Sequence, residues 1–195
     1  MYILVLLFAL NGFVFSGIIS KFFGRNLSVF FSCLNIFLSF FVAVFIFYEV
    51  CILHTVVNIK LFNWLIIDIF NIQFGLLFDT LTSMMLLIVI GISFLVHLYS
   101  LGYMEHDPHL IRFISYLSLF TFFMLVLVTS DNLVQMFFGW EGVGLCSYLL
   151  ISFWFTRVMA NKAALKAMIM NRISDVFFVI GIILVLLTLK TTDYT

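Results

Sequence analysis

Residues 137–150 read FFGWEGVGLCSYLL, and Glu141 is the one charge between Asp131 and Arg157. Taking a carboxylate out of water is costly, so a chain that embeds one among uncharged, mostly apolar residues needs a use for it. The surroundings are those of a membrane. Of 195 residues, 65% are hydrophobic and 9% charged, and the mean hydropathy is +1.29. A soluble domain carries about 25% charged residues, so this is an integral membrane protein.

The composition also excludes several functions. Net charge is zero, so no basic surface invites nucleic acid. The cysteines Cys33, Cys51 and Cys146 stand far apart with no CxxC pair, which indicates neither an iron–sulfur cluster nor a disulfide framework. The 27 Phe against one Pro match the bias of AT-rich coding DNA, as in organelle genomes. The first apolar stretch has no basic segment before it and no small-residue cleavage site after it, so it reads as a retained span.

A hydrocarbon core about 30 Å thick needs about 20 apolar residues of helix. Stretches of that kind lie at roughly 2–20, 27–48, 77–101, 112–130, 132–155 and 161–189. The short connections KFFGRN, TSDN and FTRVMAN imply antiparallel neighbours in a bundle. The expected fold is therefore all-α, about six transmembrane helices in a single domain over residues 1–195. Segment 49–76 is too polar for a seventh span and too apolar for a free loop. Its pieces NIKL and NIQF alternate with a period of two and Trp64 suits a membrane interface, so short strands lying on the surface between the second and third helices are expected. A buried or re-entrant segment is the rival reading. By loop parity Lys21, Arg25, Arg112, Arg157 and Lys162 fall on one side and Lys60 and Lys190 on the other. The larger group belongs inside, which puts the N terminus outside.

Several ionisable residues lie within the spans. Asp79 and His97 sit near opposite ends of the third, where solvation at the helix end stands beside a functional role. Glu141, Lys166, Arg172 and Asp175 lie deeper, and four central charges would cost on the order of 10–14 kcal/mol on insertion scales. They must face one another, water or another subunit. Counted from the ends of their helices near 155 and 160 at 1.5 Å per residue, Glu141 is roughly 21 Å deep, Arg172 roughly 18 Å and Asp175 roughly 22 Å. Lys166, at roughly 9 Å, is too shallow to meet Glu141. The three-residue spacing of Arg172 and Asp175 lets one helix face hold them as an ion pair. A structural salt bridge and a proton relay are both consistent with that set.

The run DNLVQMFFGWEGVGLCSYLLISFW, followed by ANKAALKAMIMNRISDVFF, resembles the subunit 5 family of NADH dehydrogenase, the distal antiporter-like subunits of mitochondrial complex I. FGLLFDTLTSMMLLIVIGISFLVHLYSLGYM and DPHLIRFISYLSLFTFFMLVLVTSDN match the same family, so the resemblance is close over 74–185 and by pattern only before that. It implies an antiporter-like bundle in the mitochondrial inner membrane, with the N terminus on the intermembrane-space side. It implies further that Glu141 is the fifth-helix glutamate gating proton movement, opposite a lysine on a broken seventh helix. Arg172 and Asp175 correspond to the sixth-helix pair, Lys166 to a basic position of some members, and His97 to the third-helix histidine. The family binds no redox cofactor in this subunit; NADH, flavin, iron–sulfur centres and ubiquinone belong to other subunits. Expected partners are membrane lipid, the other membrane-arm subunits, and a second chain carrying the family's remaining helices, since members have about fifteen spans. A sodium/proton antiporter or membrane-bound hydrogenase subunit is the second reading, and a structural membrane protein without transport the third.

Overall fold

The computed structural model describes residues 1–67 and 70–194. Among them six helices are long and apolar enough to cross a membrane: α1 Ile3–Phe22, α2 Arg25–Ile52, α3 Thr80–Tyr103, α4 Leu110–Val128, α5 Leu133–Ile151 and α6 Val158–Leu189. Between α2 and α3 run two antiparallel strands, β1 Val57–Ile67 and β2 Phe70–Phe78. Asp68 and Ile69 of the strand-like segment, and the terminal Thr195, lie outside the described residues. The expected all-α membrane fold with a small strand pair is what the chain adopts.

Local chemistry sets the element ends. Gly24, at φ 77° and ψ 173°, takes a positive-φ extended conformation open in practice to glycine, and this turns α1 into α2. Asp79 caps α3: its carboxylate accepts from Thr82 N at 2.7 Å while its own N–H donates to Thr82 Oγ1 at 2.8 Å, a reciprocal capping box. This capping box, rather than solvation alone, holds Asp79 at the helix terminus. Asn132 caps α5 through Gln135 N at 2.8 Å. The third span starts at Thr80 rather than 77 because Leu77 and Phe78 are still in β2. Likewise α5 stops at Ile151, and the turn after it is held by Arg112 donating to the Phe153 carbonyl at 3.0 Å.

Helix α1 packs on α2 and α4, α2 on α3, α4 on α5, and α5 on α6. The core gathers Val5, Ala9, Ile36, Ile46, Leu86, Ile90 and Leu125, with Leu76 and Phe78 entering from β2. Hydroxyls tie the first two helices together, Ser32 donating to the Gly12 carbonyl at 2.8 Å and Ser39 to the Val5 carbonyl at 3.1 Å. Small polar residues serve this way where the helix exterior is itself apolar. Close approach of α5 to α4 depends on two glycines. A Cβ on Gly139 would lie 2.7 Å from Leu127 N, and one on Gly142 would lie 2.2 Å from Phe123 Cδ1.

The strand pair closes one end of the bundle. Leu77 N donates to the Thr129 carbonyl at 3.0 Å, and beyond α6 the chain returns so that Tyr194 N donates to the Asp131 carbonyl at 3.1 Å. Trp64 of β1 meets Phe138 of α5 edge-on, with centroids 5.7 Å apart. Helix α6 differs from the others. Its buried residues are Ala164, Asp175 and Ile182 out of 32, so a carboxylate is turned in while most apolar side chains are turned out.

Candidate functional site

Glu141 stands near the middle of α5 and Arg172 near the middle of α6, at matching depth. Arg172 Nη1 donates to Glu141 Oε1 at 2.8 Å and to Oε2 at 3.0 Å. One nitrogen thus spans both carboxylate oxygens, a charge-assisted contact. The Glu141 side chain is 28% exposed and that of Arg172 60%, so the pair borders an open face of α6 rather than a closed core. The expected Arg172–Asp175 ion pair is not formed. Although their spacing puts them on neighbouring turns, Asp175 is turned into the α5–α6 contact, where its Oδ1 accepts from Trp140 Nε1 at 3.0 Å. The Trp140 ring is held by stacking on Phe178, with centroids 6.1 Å apart.

Trp140, Glu141, Arg172 and Asp175 line a pocket of about 160 Å³ shared with Gly144, Ser147 and Asn171. That is room for several waters among polar side chains. Trp140 escaped the reading of the sequence, yet the same count of depth places it roughly 22 Å from its helix end, level with Asp175. Lys166 is exposed and lies beside Lys162, Leu165 and Ile169 at another surface of α6. It does not join Glu141, in keeping with its shallower position.

His97 belongs to a second polar centre and overturns solvation at the helix end. The residue is fully buried, at 0% exposure. Its Nδ1 lies 2.8 Å from the Ser93 carbonyl and its Nε2 3.2 Å from Ser118 Oγ on α4. A carbonyl facing Nδ1 assigns the hydrogen there, so in the neutral ring Nε2 is the acceptor. Ser118 also has the Ile114 carbonyl within reach at 3.0 Å, and its single hydrogen serves one of the two. The ring is buried because α3 presents Ser93, His97 and Ser100 to the bundle while apolar residues face outward.

A third polar cluster caps the strand end. Asp131, in the α4–α5 turn, accepts from Asn58 Nδ2 at 3.1 Å. Burial raises its pKa above the ordinary carboxylate value and the Asp193 charge adds to this, while Asn58 and Lys60 oppose it. Buried Gln135 accepts from Gly75 N at 3.0 Å. Among the described residues no group of three or more His, Cys, Asp or Glu could hold a metal ion.

Comparison with known proteins gives these centres a context. Residues 64–114 match the model of the NADH-ubiquinone oxidoreductase (complex I) chain 5 N-terminus, and residues 130–195 match that of the NADH:quinone oxidoreductase/Mrp antiporter transmembrane region. NADH-ubiquinone oxidoreductase chain 5 of Metridium senile is 54% identical over 185 residues, and that of Dictyostelium citrinum is 48% identical over all 195. The chain belongs to the NADH-ubiquinone oxidoreductase chain 5 family. It spans 30% and 29% of the length of those two relatives. His97 falls inside the first matched region of the family, and Glu141, Lys166, Arg172 and Asp175 inside the second. The fold is also that of a chain in the structure of the membrane-bound sulfane sulfur reductase, an archaeal respiratory membrane complex. That match has a TM-score of 0.84 and 18% identity and covers 97% of this chain and 38% of the other.

Proposed function

We propose that this chain forms part of a proton-translocating subunit of a respiratory NADH:ubiquinone oxidoreductase, in the mitochondrial inner membrane with its N terminus toward the intermembrane space. The observation that carries the reading is the Glu141–Arg172 pair at 2.8 Å in mid-membrane, with Asp175 held one turn away by Trp140. A carboxylate takes a proton more readily once a neighbouring cation leaves. When Glu141 is protonated, Arg172 loses its partner, and its exposed side chain has Asp175 as the next anion within a turn. A cation brought up by another helix would compete with Arg172 for Glu141 and run the exchange in reverse. The wide exposure of α6 suits contact with the other helices of the family fold, where such a cation would sit. His97 and Ser118 form a second, buried polar centre on the proposed path, and Lys166 acts nearer the α6 start. This chain supplies proton handling alone. NADH, flavin, iron–sulfur centres and ubiquinone are bound by other subunits of the membrane complex.

The test is Glu141→Gln in the assembled oxidoreductase, which preserves shape and removes the titration. The expected result is fewer protons moved per electron with assembly intact; an unchanged ratio in vesicles would refute the role. The second matched family also names Mrp antiporters, which favours sodium/proton exchange as the alternative. A flux that depends on both sodium and Glu141 would select it.

A further inference from the structure

Outside the charged site, a groove of about 920 Å³ lies between α2 and α3. Its walls are apolar, with Val29, Cys33 and Phe37 from α2 and Phe94, Leu98 and Leu101 from α3. One end carries charge: Arg25 and Asn26 begin α2 there, and Glu105 follows α3. The other end is shut where the rings of Phe37 and Phe94 meet with centroids 5.1 Å apart. From Asn26 to Phe37 the groove runs about 16 Å at 1.5 Å per residue, about half of a 30 Å hydrocarbon core. A transmembrane helix of another subunit would need a groove running the full depth. An acyl chain of one leaflet needs half.

The headgroup end narrows the choice. Arg25 Nη2 donates to the carbonyls of Met104 and Glu105, and among the described residues Nη1 and Nε have no protein acceptor. The Glu105 carboxylate is exposed and has no ionic partner among the described residues. A cation and an anion that both line the mouth complement a zwitterion, with phosphate toward Arg25 and an ammonium toward Glu105. We propose that this groove is a binding site for a phosphatidylethanolamine molecule, one of its two acyl chains laid between α2 and α3 down to the Phe37–Phe94 contact. A primary ammonium donates hydrogen bonds to Glu105 that choline cannot, and a phosphatidylglycerol headgroup would set its net negative charge against Glu105.

The test reconstitutes the full chain in vesicles of equal phosphatidylethanolamine, phosphatidylcholine and phosphatidylglycerol with matched acyl chains. It is extracted mildly and its retained lipid counted by native mass spectrometry. Retention of phosphatidylethanolamine about fivefold over either competitor is expected from one partly exposed ion pair, and Glu105→Gln should abolish the preference while lipid stays bound. Gly102 lines the groove and a Cβ there meets nothing within 4 Å, so Gly102→Leu should fold with unchanged helical content and lose the lipid. Because Arg25 also ties α2 to the turn after α3, Gly102→Leu is the deciding variant. Undiminished lipid in Gly102→Leu, or equal retention of the three headgroups by the unaltered chain, would overturn the proposal.

Discussion

Breaking the Glu141–Arg172 pair one side at a time should cost more than removing it whole. Glu141 lies about 12 Å from the start of α5 and about 15 Å from its end, and Arg172 about 21 Å from the start of α6 and about 25 Å from its end. Neither charge has an easy route to an interface. A lone charge at such depth costs about 2.5–3.5 kcal/mol on insertion scales. The 160 Å³ pocket and the 60% exposure of Arg172 let water relieve part of this. Glu141→Gln and Arg172→Met should therefore each lose about 2 kcal/mol, and the double variant, neutral again, about 1 kcal/mol. That leaves a coupling of about 3 kcal/mol, at the upper end for residues in contact. Pairing Arg172→Met with Asp175→Asn should give a smaller coupling, because Asp175 bonds to Trp140 and not to Arg172. The assay is unfolding of the chain in mixed micelles by added dodecyl sulfate, followed by tryptophan fluorescence. Additivity of the first pair within about 0.5 kcal/mol, or stronger coupling in the second, would refute the pairing.

Gly139→Ala should lose about 1–3 kcal/mol by overpacking, since its Cβ meets the Leu127 backbone, which cannot rotate away. Gly144→Ala, whose nearest neighbour would be Asn171 Nδ2 at 3.7 Å, should lose nothing in the same assay. Equal losses at both positions would show that helix flexibility rather than contact sets the cost. The raised pKa of Asp131 means the folded chain holds this proton where the unfolded chain has released it. Stability should then fall as pH rises from the ordinary carboxylate value through the raised folded value, and level off above it. Asp131→Asn should remove that slope in thermal unfolding followed between about pH 4 and 7, and Asp193→Asn should narrow the window; an unaltered slope in Asp131→Asn would assign it to another group.

The six spans and the strand pair were legible in the chain because each depends on neighbours in sequence. Hydropathy and alternation act over a few residues, whereas the caps at Asp79 and Asn132 came from the structure. Depth was legible too, since a helix rises a constant distance per residue, and this put Glu141 level with Arg172 before any fold was known. What the sequence could not give was the rotation of each helix about its axis. The seating of Gly139 and Gly142 against Leu127 and Phe123 turns Glu141 toward Arg172 and Trp140 toward Asp175, and the packing of α3 on α4 buries His97 against Ser118. Spacing alone made Arg172 and Asp175 look like partners. The tertiary structure decided otherwise, because contact between helices depends on which faces pack together, and that is settled by side chains far apart in the chain.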